Sequence, residues 1–481
     1  MTLSSDDLAF MPATTMAAAI RSRKLSPVEV TRAILERIER LNPRLNAYLT
    51  VDGEGAMQAA RRAEQAVVNG AELGPLHGVP VSVKDLVCTQ GLRTTFGSLL
   101  HRDHVPDHDA GAVERLRAAG AIILGKTNTP EFGLMGSTEN RLGEPCRNPW
   151  NLERTSGGSS GGAGSAVAAG LGPLALGTDG GGSVRIPSGF CGVFGLKPTY
   201  GRVPHHSDFG GWGTLSVTGP IARTVADAAL MLDVMVGPHP EDPYSLPTPR
   251  RPFRRAMKGD LRPDGRPSGH GLRAAWSGDL GYGAVDPEVR RIAEAAARRF
   301  ADFGCVVEED HPGIEDPLVT RVFIDLAATY TAGELEGVSA EQETLLTEYA
   351  IAFRDYGQRV TGLQVVQANR ARFVTWARLR DFFRRYDLLL TPTLSVPAFP
   401  IGEEPRVIDG RPVLPFGWSP FTPPFNLSGQ PAASVPCGWS ADGLPVGLQI
   451  VGRPFEETTV LRAAAASEAA QPWQQRRPPL P

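Results

Sequence analysis

Two glycine–serine clusters, at residues 157–162 and 177–185, hold side chains that could attack a carbonyl group. Ser159 lies in the first cluster and Ser183 in the second. Glycines beside a serine let the backbone approach a reacting atom and turn its N–H groups toward a developing negative charge. The apolar run at 174–176 between the clusters predicts a buried strand and argues against a flexible linker. The clusters are therefore expected to be two loops that converge on one point.

A serine is a poor nucleophile at its ordinary pKa, so a second group must take its proton. No histidine lies in either cluster, and the nearest ones, His205 and His206, follow in a polar loop. Residues 78–85 alternate like a strand that ends on Lys84. Taken alone, such a lysine is better explained as one that reaches to the surface. Burial could instead lower its pKa enough to make it a base near pH 7.

A charged pair flanks the second serine. Asp179 and Arg185 could form an ion pair across the loop and fix its shape.

These clusters resemble the signature of the amidase signature family, and the match is long, with its spacing intact. The matching residues are Gly157-Gly158-Ser159-Ser160-Gly161-Gly162, Gly177-Thr178-Asp179-Gly180-Gly181-Gly182-Ser183-Val184-Arg185, Pro187, Phe190-Cys191-Gly192 and Gly195-Leu196-Lys197-Pro198-Thr199-Tyr200-Gly201-Arg202. The resemblance covers most of the remaining chain and is weakest between about 250 and 380. It implies an α/β fold, a three-layer α/β/α sandwich with a central mixed β-sheet. It also implies one domain over 1–481, with a signature core at about 78–225 and a more variable helical segment at about 250–385.

The resemblance also implies a role for each matching residue. Ser183 would be the nucleophile that forms an acyl-enzyme, Lys84 the general base, and Ser159, after a cis peptide bond, the bridge between them. Ser160 would be a supporting hydroxyl near Lys84. The backbone N–H groups of the oxyanion hole would come from Gly180, Gly181, Gly182 and Ser183. No metal or organic cofactor is implied.

The implied activity is hydrolysis of the C–N bond of aliphatic or aryl amides, with carbamates (urethanes) as a further substrate class. The family also contains the glutaminase subunit of tRNA-dependent amidotransferases. That subunit typically carries Ser-Leu-Asp-Gln and Arg-Gln-Pro where this chain has Thr-Leu-Ser-Val at 214–217 and Arg-Ile-Pro at 185–187. Losing those polar groups favours a stand-alone hydrolase with a more apolar acyl or amine pocket. A non-catalytic scaffold of the same fold is the remote alternative.

Five residues are candidates for the substrate pocket. Leu134 and Met135 are chosen by position, and Phe209, Trp212 and Phe425 by their aromatic character in Gly/Pro-rich loops.

Composition limits the partners. The net charge of −3 over 481 residues gives no reason to expect nucleic acid or an anionic membrane. No signal peptide and no apolar run of about 18 residues is found, so no membrane span is expected. Five dispersed cysteines indicate reduced thiols and a cytoplasmic location. The expected partner is a small amide or carbamate substrate, and the sequence leaves the oligomeric state open, a homodimer included.

Three other motifs are weaker. Residues 120–127 fit the P-loop pattern, but their middle reads as the strand itself rather than a glycine-rich turn. Residues 157–161 fit G-x-S-x-G, but no apolar strand directly precedes them, as a nucleophile elbow requires. His104 and His108 are spaced like a metal pair, but Pro106 between them favours a polar loop over a helix.

Between 317 and 385 the sequence predicts amphipathic helices. Phe373, Trp376, Leu379 and Phe383 form one stripe, which is expected to face the core.

Overall fold

The computed structural model describes residues 4–205, 212–257, 261, 271–314 and 316–480, with nothing stated for the side chains of 316–318. The α-helices in these ranges are α1 (Ser5–Ala9), α2 (Ala13–Arg21), α3 (Pro27–Leu45), α4 (Gly53–Val68), α5 (Gly111–Ala118), α6 (Gly161–Ala168), α7 (Arg185–Cys191), α8 (Val225–Met235), α9 (Phe253–Ala256), α10 (Pro287–Arg298), α11 (Asp316–Glu334), α12 (Ala340–Glu343), α13 (Glu348–Arg359), α14 (Gly362–Phe382), α15 (Pro423–Leu427) and α16 (Glu457–Ala470). The strands are β1 (Tyr48–Val51), β2 (Pro80–Lys84), β3 (Ile122–Thr127), β4 (Arg147–Asn148), β5 (Asn151–Thr155), β6 (Leu174–Asp179), β7 (Phe194–Lys197), β8 (Val217–Ala222), β9 (Arg273–Trp276), β10 (Val306–Glu309), β11 (Leu388–Pro392), β12 (Val407–Ile408), β13 (Arg411–Pro412), β14 (Ala432–Trp439) and β15 (Pro445–Gly452).

Eleven of the described strands form one sheet, in the order β1–β3–β2–β6–β8–β7–β14–β15–β11–β9–β10. Neighbours are parallel at β3, β2 and β6 and again at β11, β9 and β10. The other neighbours are antiparallel. The expected central mixed sheet is therefore confirmed.

Helices cover both faces of this sheet, as β15 illustrates. Gly447 and Gly452 are five residues apart on that strand, so they face opposite sides of the sheet. A side chain at Gly447 would meet Gly189 of α7, and one at Gly452 would meet Val460 of α16. One helix thus lies on each face, which confirms the three-layer arrangement.

The strands that carry the site are buried on both faces. All residues of β2, β3 and β6 are buried, including Ser82 and Lys84 on the polar face of β2. Parallel strands under two helical layers are expected to be covered in this way. The end of β2 is therefore a place where a lysine is held away from water.

The stripe on α14 is only partly in the core, so the prediction for Phe373 and Trp376 is wrong. Leu379 and Phe383 are buried, but Phe373 is 72% exposed and Trp376 39% exposed. Phe373 and Leu379 are six residues apart, which places their side chains roughly 120° apart around the helix axis. α14 packs against α11 and α15, and the exposure of Phe373 and Trp376 shows that their rings face away from that contact.

Among the helices of the described ranges, none combines the length and apolar character that crossing a bilayer demands.

Candidate active site

Lys84 ends strand β2, and its side chain is fully buried. Burial disfavours the charged ammonium and lowers the pKa of Lys84 well below the usual lysine value, while the charge of Asp179 opposes that shift. A lysine with a strongly lowered pKa can hold a free lone pair near neutral pH and accept a proton.

Ser159 lies between β5 and α6 and follows a cis peptide bond, Gly158–Ser159. The Nζ atom of Lys84 is 2.6 Å from Ser159 Oγ. The two side chains come from different elements of the sheet region, and both are buried. Proton exchange between them is therefore possible without an intervening water.

Thr178 is a member of this cluster that the sequence analysis did not single out. Its Oγ1 atom accepts a hydrogen bond from Lys84 Nζ at 2.9 Å. It lies on β6, directly before Asp179, inside the matched signature. Only its place beside Asp179 could have drawn attention to it, because a buried threonine on a strand is ordinary.

The hydroxyl of Ser160 binds the backbone of the same strand. Its Oγ donates to the Thr178 carbonyl at 3.1 Å and accepts from the Thr178 N–H at 3.3 Å. Its own N–H donates to the Ser183 carbonyl at 3.2 Å. Ser160 therefore ties the two serine loops together.

Ser183 lies in the loop between β6 and α7, and a charged cluster below this loop shapes it. Asp179 Oδ1 and Oδ2 accept hydrogen bonds from Arg185 Nη2 at 2.8 Å and Nε at 2.9 Å. Both residues are fully buried, so the predicted ion pair is confirmed. Burial alone would raise the pKa of Asp179, but the Arg185 guanidinium outweighs this and holds that pKa well below the usual range.

Residues far along the chain complete this cluster. Asn426 Nδ2 donates to the carbonyl and to the Oδ1 atom of Asp179, each at 2.9 Å. Arg185 Nη1 donates to Gln449 Oε1 at 2.8 Å and to the Thr422 carbonyl at 2.9 Å. The sequence analysis missed these three residues, since nothing in their spacing relates them to the signature.

The backbone of the nucleophile loop differs from expectation at Gly182. Its N–H donates to Asp179 Oδ1 at 2.8 Å, so it is already engaged. Within the described ranges, no such bond is found for the N–H groups of Gly180, Gly181 and Ser183. These three N–H groups are therefore the candidates for binding a negatively charged oxygen.

Two cavities meet at Ser183. The larger contains about 1250 Å³ of empty space, its open mouth included, and is walled mainly by apolar side chains. The smaller contains about 470 Å³ and is lined by Ser159, Thr178 and His205 as well as by apolar residues. Trp212 lines both cavities. The nucleophile candidate is thus open to two spaces of different size.

The predicted pocket residues fare unequally. Leu134, Met135 and Trp212 line the large cavity. Phe425 does not, because its ring is fully buried in the main hydrophobic core, where α15 packs against α11 and α14. Phe209 lies outside the described residues.

The weaker motifs take other structures. The middle of residues 120–127 is strand β3. Residues 157–161 form the turn into α6, after a short hairpin whose strand β5 is partly exposed. His101 and His104 pack against the ring of Phe96. No group of three or more potential metal ligands is found in the ranges that the structure describes.

Comparison with known proteins identifies the family of this chain. The family model described as Amidase matches residues 29–461. The acylamidase of Rhodococcus erythropolis is 41% identical over 483 residues, which cover 99% of this chain and 98% of that protein. A glutamyl-tRNA(Gln) amidotransferase subunit of Moorella thermoacetica is 38% identical over 501 residues, covering 98% of this chain and 99% of its own.

A solved structure has the same fold. It is a bacterial aryl acylamidase of the amidase signature enzymes, and it matches with a TM-score of 0.90 at 31% identity, covering 97% of each chain. Because the family model spans most of this chain and the relatives align along nearly all of it, the chain belongs to the amidase signature family and is an amidohydrolase.

Proposed function

We propose that this amidohydrolase cleaves non-peptide amides through an acyl-enzyme on Ser183, with Ser159 as proton relay and Lys84 as general base. The observation that carries the proposal is the 2.6 Å contact between Lys84 Nζ and Ser159 Oγ in a buried site beside the Ser183 loop. The lowered pKa of Lys84, caused by burial, supports its role as a neutral base.

In this mechanism Ser183 Oγ attacks the amide carbon as its proton passes to Ser159 Oγ, whose own proton passes to Lys84 Nζ. The carbonyl oxygen becomes negative and is bound by the N–H groups of Gly180, Gly181 and Ser183. The C–N bond then breaks, and the proton returns through Ser159 to the leaving nitrogen. A water molecule attacks the ester along the same relay and releases the acid.

The two cavities give the substrate an orientation. Ser159 must face the leaving nitrogen, and Ser159 lines the small cavity but not the large one. The leaving amine is therefore assigned to the small cavity and the acyl group to the large apolar one. Amides of bulky apolar acids with ammonia or a small amine are the preferred substrates.

Two isomeric amides test this orientation. We expect 4-phenylbutanamide to show a higher kcat/KM than N-phenylbutanamide, although aniline is the better leaving group. The acid product of each is measured by chromatography with the parent chain. A preference for the anilide would reverse the assignment of the cavities and leave the hydrolase mechanism standing.

Carbamates fit the same chemistry, since attack on their carbonyl gives an alkoxycarbonyl-enzyme that hydrolyses to an alcohol and carbon dioxide. The orientation favours 2-phenylethyl carbamate over its isomer ethyl N-phenylcarbamate. Release of 2-phenylethanol measures the first reaction and release of aniline the second. Failure to cleave either would remove carbamates from the substrate range.

The catalytic roles are tested with serine variants. Ser183→Ala and Ser159→Ala are each expected to abolish measurable turnover of 4-phenylbutanamide. Ser165→Ala is the matched control, because Ser165 is a buried serine of the same region whose hydroxyl donates to the Arg147 carbonyl at 2.9 Å. Turnover by Ser183→Ala equal to that of the parent would overturn the proposal.

The glutaminase component of an amidotransferase is the second candidate function, supported by the 38% identity to such a protein. Against it, Ile186 and Ser216 line the cavities where that component typically has polar glutamine and aspartate side chains. Release of ammonia from glutamine at a higher kcat/KM than from 4-phenylbutanamide would favour this candidate.

A further inference from the structure

A threonine remote in sequence contacts the nucleophile loop. Thr422 lies directly before α15, and its Oγ1 donates to the Gly181 carbonyl at 2.7 Å. The approach is so close that any side chain at Gly182 would collide with Thr422 Oγ1. The chain has a glycine at the one loop position that this contact would otherwise forbid.

The peptide unit between Gly181 and Gly182 is held at both ends. Its carbonyl accepts from Thr422 and its N–H donates to Asp179 Oδ1. A trans peptide is planar, with the two groups pointing in opposite directions, so these two bonds fix its rotation. The N–H groups of Gly181 and Ser183 belong to the two adjoining peptide units, so holding this unit restrains their direction as well.

Thr422 is itself held in place. Its hydroxyl has one proton, which goes to Gly181, so the Ser419 hydroxyl at 3.0 Å must donate to it. Its carbonyl accepts from Arg185 Nη1, which belongs to the ion pair below the loop. Thr422 is fully buried, so water does not compete for these bonds.

We propose that Thr422 is a positioning residue for the oxyanion hole, holding the Gly181–Gly182 peptide so that the adjacent N–H groups point at the reacting carbonyl oxygen. The inference rests on the proposed function. Thr422 does not contact substrate in this role, and its effect is confined to the step in which negative charge develops.

Two substitutions of Thr422 separate the effect of its hydroxyl from the effect of its side-chain shape. Thr422→Val keeps the volume and removes the donor, and Thr422→Ser keeps the donor. For 4-phenylbutanamide we expect Thr422→Val to lower kcat by about 10- to 100-fold. This is no larger than the decrease in kcat that typically follows removal of a hydrogen-bond donor from the oxyanion hole itself. KM should change by less than about threefold. Thr422→Ser should stay within about threefold of the parent.

A matched control removes a hydroxyl of the same kind elsewhere. Thr331 is buried on α11 and donates to the Ala327 carbonyl at 2.9 Å. Thr331→Val should leave kcat unchanged. Thermal melting and circular dichroism of all three variants report whether each one folds.

A second readout does not depend on turnover. The trifluoromethyl ketone analogue of 4-phenylbutanamide forms a tetrahedral adduct with a negative oxygen, whereas 4-phenylbutan-1-ol resembles only the bound acyl chain. Thr422→Val should weaken binding of the ketone by the same factor as it lowers kcat/KM. The affinity for the alcohol should be unchanged. The pH dependence of kcat/KM should keep its midpoint, because Lys84 is not affected.

The outcomes are distinct. Parent-like kcat in a folded Thr422→Val, an equal loss in Thr422→Ser, or a loss carried entirely by KM would each overturn the positioning role. A parent chain that hydrolyses no amide and forms no ketone adduct would overturn the proposed function and this role with it. Amide hydrolysis by the parent together with an unaffected Thr422→Val overturns the positioning role alone.

Discussion

Lys84 Nζ and Ser159 Oγ lie 2.6 Å apart although 75 residues separate them in the chain. Lys84 also donates to Thr178, and the chain places no carboxylate in direct hydrogen-bond contact with it among the described residues. The amine is therefore surrounded by hydroxyl groups, which exchange protons with it but do not hold it in the charged form as a carboxylate would.

The pH dependence of activity should follow Lys84. A base must be unprotonated to act, and burial lowers the pKa of Lys84 well below the usual lysine value. We therefore expect kcat/KM to rise with pH through that lowered pKa and to reach a plateau well below pH 10. A pH–rate profile that rises only near the ordinary pKa of lysine would contradict this.

The same burial predicts that Lys84 lowers stability. Because its folded pKa is below its unfolded pKa, the unfolded chain binds more protons between the two, and stability falls as pH decreases from about 10 toward the folded value. Lys84→Met should therefore be inactive but more stable, with a gain that grows as pH falls through this window. Urea unfolding at several pH values measures it, and a parent-like pH slope in Lys84→Met would refute the idea.

Thr178 should influence the pKa of Lys84. Its hydroxyl accepts from Lys84 and so favours the ammonium form. Thr178→Val removes this acceptor, so the pKa of Lys84 should fall further and the acid limb of the pH–rate profile should move to lower pH. Thr178→Ser keeps the acceptor and should keep the midpoint. If both variants shift it equally, packing rather than the hydroxyl is responsible.

Breaking the buried ion pair should be costly. Asp179→Asn leaves the fully buried Arg185 without its carboxylate partner, which typically costs about 3–5 kcal/mol of unfolding free energy. The net pKa of Asp179 lies below its unfolded value, so this stability is present above about pH 4 and is lost as pH falls further. Urea unfolding at pH 7 and at acid pH tests both statements.

The control for that prediction is Asp103→Asn. Asp103 pairs with Arg102 at 3.3 Å on the surface, where its side chain is 87% exposed. Such pairs contribute little, so no measurable change is expected. Comparable losses in both variants would mean that burial is not the deciding factor.

Glu404 should hold part of the wall of the large cavity in place. Its Oε1 accepts from the Phe416 N–H at 2.6 Å and from Trp418 Nε1 at 2.7 Å, and both residues line that cavity. Glu404→Ala removes both bonds, so KM for 4-phenylbutanamide should rise about tenfold while kcat is retained. Propanamide lacks the long aryl chain that is assigned to this cavity, so its KM should be unaffected.

Glu403→Ala is the neighbouring control. Glu403 is exposed, and Glu403→Ala should leave KM unchanged for both 4-phenylbutanamide and propanamide. An equal rise in KM for propanamide in Glu404→Ala would place the effect at the nucleophile rather than at the wall.

Local chemistry made much of the fold predictable. The apolar run at 174–176 gives strand β6, and the alternation at 78–85 gives β2 with Lys84 at its end. Each depends on side-chain period and burial over a few residues, which the sequence carries directly. The prediction that Phe373 and Trp376 face the core was wrong because apolar periodicity does not determine how much of the surface of α14 the neighbouring helices cover.

The sequence by itself determined the types of group available: two serines among glycines, a lysine at the end of a buried strand, and an Asp–Arg pair around the second serine. Only the tertiary structure decided that Thr178 contacts Lys84, that Asp179 engages the Gly182 N–H, and that Thr422 and Asn426 hold the nucleophile loop. The last two lie more than 200 residues beyond the loop. Contacts of that kind depend on which elements the sheet order brings together, and no local pattern encodes them.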